Sequence, residues 1–92
     1  MTRYLVEVPH EANKVACEVG VQVFLSSGNH FLANADWGCE DGEHKAWMVV
    51  EAVNKEQARS IVPFAYRPKT KVVALKQWRR EELDEMVRHH GS

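Results

Sequence analysis

Between residues 44 and 52 the chain alternates without a break: Ala46, Met48 and Val50 fall on one side, and Lys45, Trp47, Val49 and Glu51 on the other. A period of two is that of a half-buried strand. Residues 31–37 alternate likewise, with Phe31, Ala33, Ala35 and Trp37 on one side and Leu32, Asn34 and Asp36 on the other. Asp41-Gly42 lies between the two runs, and both residue types tolerate the positive φ of a tight turn. Whatever this chain folds into has to contain that hairpin.

The remaining elements are placed around it. Residues 4–8 are short and β-branched and end at Pro9, whose ring removes a ladder donor. Asn13 is suited to cap a helix over 13–27, in which Val15, Ala16, Val19 and Val23 recur at helical spacing, with Gly28 past its end and Gly20 as its weak point. Asn54-Lys55-Glu56-Gln57 has the spacing of a capping box and opens a short helix with Ala58, Ile61 and Val62, stopped by Pro63. Beyond a connector at 63–68, residues 71–78 set Val73 and Leu75 against Val72 and Ala74 as a fourth strand. Over 79–90, Leu83, Met86, Val87 and His90 are spaced as one helical face; Glu81 and Glu82 stand at its start, and Arg88, His89 and His90 at its end.

The order β-α-β-β-α-β-α predicts an α+β domain spanning 1–92. Its core, 1–78, is a ferredoxin-like βαββαβ plait with an antiparallel four-stranded sheet in the order 4-1-3-2, and 79–90 adds a C-terminal amphipathic helix. With 92 residues the chain has material for one core and not two. Twelve Lys+Arg against 13 Asp+Glu leave a net charge of −1, without the basic stripe of a general nucleic-acid binder. No run approaches the ~18 apolar residues of a membrane span. The chain opens into a strand without a signal-peptide core, so a cytoplasmic location and reduced Cys17 and Cys39 are expected.

Two helices on one face of the sheet leave the other open. Alternation assigns to it Leu5, Glu7, Leu32, Asn34, Asp36, Trp47, Val49, Glu51, Val73, Leu75 and Gln77. That mixture is too apolar for water alone and predicts a homodimer through the open face, with the C-terminal helix as another possible cover.

The topology, and the stretch His30-Phe31-Leu32-Ala33-Asn34-Ala35-Asp36-Trp37-Gly38-Cys39 followed by Asp41-Gly42-Glu43-His44-Lys45-Ala46-Trp47, resemble small bacterial ferredoxin-like proteins of the dimeric α/β-barrel type. The resemblance covers most of the chain and implies a homodimer; some of the group bind nickel and others act on small molecules. It carries over no catalytic residue. Other users of this topology are excluded by their motifs: the aromatic RNA-stacking pattern of the RRM, the CxxC of heavy-metal-transport domains and the phosphate cradle of acylphosphatases are missing.

The predicted topology gathers His10, Cys39 and His44 at one edge of the sheet, with Asp36 and Glu43 near. Imidazole and thiolate together suit a borderline metal such as Zn or Ni. A second group, Glu7, Asp36 and Glu51 with Asn34 around Trp47, is a candidate for acid/base chemistry or ligand binding on the open face. Tyr66 and Arg67 add an aromatic and a cation near the first edge. Cys17 is expected as a small core residue, and Cys39 as the reactive thiol of a weaker redox alternative. The leading expectation is a non-enzymatic protein that binds a metal ion or small ligand. A small dimeric enzyme using the open face is the alternative, and an interaction module the third.

Overall fold

The computed structural model describes residues 1–28 and 30–90, with side chains through Val87; His89 and His90 as extra metal donors, Arg88 at the helix end and the tail Gly91-Ser92 lie outside the described residues. The strands are β1 (Thr2–Pro9), β2 (Asp36–Trp37), β3 (Lys45–Ala52) and β4 (Lys71–Leu75). The helices are α1 (Lys14–Ser26), α2 (His30–Ala33), α3 (Lys55–Ser60) and α4 (Arg80–His90). The four strands form one antiparallel sheet in the order β2-β3-β1-β4, as their alternation with helices predicts.

Register fixes the faces. Tyr4 pairs with Val50, Val6 with Met48 and Val8 with Ala46, while Val72 flanks Val6 from the other side, and all of these are buried. Phe24 of α1, Leu32 of α2 and Ala58 of α3 complete this core with Val62. Full burial of such side chains contributes about 1.5–3 kcal/mol each for the larger ones. Both predicted caps form: the Asn13 side chain accepts from the Ala16 amide at 2.7 Å, and that of Asn54 from the Gln57 amide at 2.8 Å. Gln57 reaches back to the Val53 amide at 2.6 Å, which closes the box one residue earlier than usual.

Three expectations are corrected. Residues 31–37 are not one strand: 30–33 form a helical turn and only Asp36–Trp37 pairs with β3. Leu32 and Ala35, three apart, both turn to the core, so the helical period competes successfully with the period of two. Leu32 therefore leaves the open face, as does Asn34, whose amide donates to the His30 carbonyl at 2.9 Å and closes the turn. At the other end of the sheet β4 stops at Leu75, so Gln77 lies beyond the ladder.

The second correction concerns α1. Val15 and Val19 are exposed, and the inward positions are Gly20 and Phe24, with Cys17 half-buried on the same side. A Cβ at position 20 would meet the Trp37 ring at 3.3 Å, so glycine here lets α1 lie close on the indole. The third is α4. It is tied at its start by Lys76 and Arg79 to Glu82 but does not cover the sheet: Leu83, Met86 and Val87 remain 47, 41 and 66% exposed.

The open face carries Asp36, Trp47, Glu7 and Lys71 in one row across the sheet, Val49, Leu5 and Val73 in the next, and Glu51, Arg3 and Leu75 in the third. No helix among the described residues is long and apolar enough to cross a membrane.

Candidate metal centre

Four chain segments end at the same edge. The His10 amide, just past β1, donates to the His44 carbonyl at 3.0 Å, which fastens the exit of β1 to the start of β3. Between β2 and β3 the chain makes a tight helical turn at Cys39–Asp41. Amides of Asp41 and Glu43 both donate to the Gly38 carbonyl at 3.0 Å, and Gly42 takes φ +82° to leave the turn. Gly38 itself is required by contact, because a Cβ there would lie 2.7 Å from both the Glu43 carbonyl oxygen and the Trp47 ring. These constraints present Cys39 towards β1. The rotated face of α1 brings Cys17 to the same place.

The result is a cluster of two imidazoles and two thiols. His10 Nε2 stands 2.9 Å from Cys17 Sγ and 3.1 Å from Cys39 Sγ, and His44 Nδ1 is 3.4 Å from Cys17 Sγ. One donor atom from each of the four residues lies within 4.8 Å of every other, and all four residues are half-buried. Tetrahedral bonding at the usual Zn–N and Zn–S lengths sets donor atoms about 3.3–3.8 Å apart, so modest side-chain adjustment places all four around one ion. The His10 ring also stands 5.7 Å from both the Trp37 and His44 rings, which limits its rotation.

Burial disfavours the charged form of two of the cluster's groups, His10 and Cys39. Burial, and then the neighbouring His44, hold the His10 imidazolium below its ordinary pKa. Burial, then the hydrogen bond and charge of Cys17, push the Cys39 thiol up to about 11. Two thiolates around a divalent cation would be neutral overall. The cluster opens on a groove of about 730 Å3 lined by Lys14, Glu18, Val21, Gln22, Trp37 and Glu40 together with Cys17, Cys39 and His44.

Of the residues singled out in the sequence, His10, Cys39 and His44 are brought together. Cys17, expected as a small core residue, is instead the fourth member of the cluster, which sequence reasoning missed. Its signal lies in the i, i+3, i+7 series Cys17-Gly20-Phe24, whose members alone are too small or too few to mark a face. Tyr66 packs edge-on to Phe24 at 5.7 Å and lines a separate groove beside His10. Arg67 donates to the carbonyls of Val62 and Ser60 at 2.7 and 2.9 Å, so its guanidinium binds the end of α3.

The open-face group does not converge. Trp47 Nε1 donates to Glu7 Oε1 at 3.0 Å, and Lys45 Nζ lies 3.8 Å from the same oxygen. Asp36 is exposed at the sheet edge, Glu51 is exposed two rows away beside Arg3, and Asn34 lies in the turn after α2, outside the sheet. No family model, curated protein or solved structure matches the chain.

Proposed function

We propose that the protein binds a single transition-metal ion, zinc in the first instance, through His10, Cys17, Cys39 and His44. The observation that carries this reading is the convergence of four soft or borderline donor atoms, from four separate segments, within 4.8 Å. A Cys2His2 set suits tetrahedral zinc, and with four protein ligands the first shell is full, which favours binding or structural retention of the ion over catalysis. Nickel is the competing metal and is separated by its weaker fit to a tetrahedral thiolate-imidazole set. Two reduced thiols at the site fit a cytoplasmic setting. The test is elemental analysis of tag-free protein, purified and then reloaded: about one equivalent of zinc per chain is expected, and no metal above background after reloading contradicts the reading.

The arrangement of elements supports a ferredoxin-like plait, and the open face supports a homodimer. A two-fold axis parallel to the strands, between β1 and β3, would set Asp36 against Lys71 of the second copy, Glu51 against Arg3, and Val49 against Leu5. Asp36 and Glu51 then each meet a base on either side of a central apolar row, and Glu7 meets the Trp47 indole, which is the complementarity a self-associating face needs.

A further inference from the structure

Both thiols of the cluster line the same open groove, and both are half-exposed. Their sulfur atoms belong to a set lying within 4.8 Å, whereas a disulfide needs about 2.05 Å, so the bond requires a shift of under about 3 Å. Cys39 sits in a three-residue turn at the hairpin tip, whose backbone hydrogen bonds, Asp41 to Gly38 and Gly42 to Cys39, are internal to the turn. Cys17 is anchored in α1. One fixed thiol facing one on a short turn is the geometry of a dithiol that closes and reopens.

We infer that Cys17 and Cys39 form a reversible two-electron redox couple whose oxidised form cannot hold the metal. The proposal rests on the metal reading for its consequence and on the dithiol alone for its chemistry. With hydrogen peroxide as oxidant, one thiolate attacks a peroxide oxygen, the O–O bond breaks, and a sulfenic acid and water form after protonation. The second thiolate then attacks that sulfur, the S–O bond breaks, and the hydroxyl leaves as water on taking a proton. In total two thiolates, one peroxide and two protons give one disulfide and two waters. The two electrons reduce the peroxide, and a divalent ion loses both sulfur ligands and is released with only His10 and His44 left to hold it. A dithiol reductant reverses the exchange through a mixed disulfide.

The test has two independent readouts on the full chain. Zinc-loaded protein is treated with about one equivalent of hydrogen peroxide, free zinc is followed with a chromogenic chelator, and the chain is mapped by mass spectrometry without reduction. The expected result is an intrachain Cys17–Cys39 linkage, a mass lower by about 2 Da, release of zinc in step with it, and recovery of zinc binding after reduction. The oxidised form should bind zinc at least about 100-fold more weakly. The same treatment of chelator-stripped protein isolates the dithiol chemistry: linkage there without any zinc uptake before oxidation would contradict the metal reading alone. Zinc release without the linkage, retention of zinc with the linkage formed, or oxidation only to sulfinic acid would each overturn the redox proposal. Cys17→Ser leaves Cys39 as the one cysteine of the chain, so the intrachain loss of about 2 Da must give way to a sulfenic acid or a linkage between chains, and an unchanged loss within the monomer also overturns the proposal.

Discussion

Two polar constellations lie on opposite sides of the same sheet, one at its hairpin edge and one spread along its open face, and they are built on opposite principles. At the hairpin edge two imidazoles and two sulfur side chains from four segments crowd together, with no carboxylate, lysine or arginine among the four. On the open face the charged groups are spread in rows, Glu7 held by Trp47 and Lys45, and Glu51 set beside Arg3. Imidazole and sulfur donors that converge at a half-buried point are a set that a borderline cation can satisfy. Charges spaced over a flat surface with an apolar row between them are satisfied by a matching surface. The proposal of a metal ion at the first arrangement and of a second copy at the other rests on that difference.

The sharpest way to break that distinction is to remove one group from each. Cys17→Ser or His44→Ala should weaken zinc binding at least about 100-fold in a competition titration. Asp36→Asn and Glu51→Gln should leave it unchanged within about twofold, since surface substitutions away from a site have small effects. Equal losses from both groups would erase the difference.

Next in size is the effect of the ion on stability. The four donor residues lie just past β1, on α1, in the hairpin turn and just before β3, so an ion there would tie together four segments of the native chain. Free zinc at 100 times its dissociation constant should stabilise by ~2.7 kcal/mol, about 10–20 °C in melting temperature for a domain of this size. Chelation should reverse it, as calorimetry would show.

The open face predicts a smaller and different response. Arg3→Glu should weaken self-association about tenfold in sedimentation equilibrium, and adding Glu51→Arg should restore much of the loss by exchanging the two partners. Zinc affinity should follow neither change. A monomer at every accessible concentration would show that the face has another occupant.

The smallest effect is the pH dependence of the metal-free protein. His10 titrates below its ordinary 6.5 in the fold, so as pH falls past that value the unfolded chain takes up the proton first. Stability is full above 6.5 and declines as pH falls towards the folded value. Cys39, raised from 9.0 to about 11, acts in the other direction: the unfolded chain loses its proton first, and stability declines as pH rises through that window. Thermal melts of chelated protein across pH check both slopes. Bound zinc should flatten the alkaline decline, because the metal holds Cys39 as thiolate.

Much of this was legible before any coordinates. Strands β1 and β3 set their inward residues at strict period two, Tyr4, Val6 and Val8 in one and Ala46, Met48, Val50 and Ala52 in the other, and their faces follow from it; the order of elements then carries His10, Cys39 and His44 to one edge. Residues 31–37 were misread because two periods coexist there, and Leu32 with Ala35 satisfies the helical one. The inner face of α1 was hidden for a different reason. Val15 and Val19 are as apolar as any inward residue, whereas Gly20 contributes through the space it leaves for Trp37. Only with Trp37 seated against Gly20 does Cys17 face the cluster, and that contact joins residues far apart in sequence.

X-ray absorption at the zinc edge examines the ligand set itself. Two sulfur neighbours at about 2.3 Å and two nitrogen neighbours at about 2.0–2.1 Å are predicted for the loaded protein, with one sulfur lost in Cys17→Ser. A shell of nitrogen and oxygen alone, or a spectrum unchanged by the Cys17 substitution, would contradict the assignment of this cluster as the metal centre.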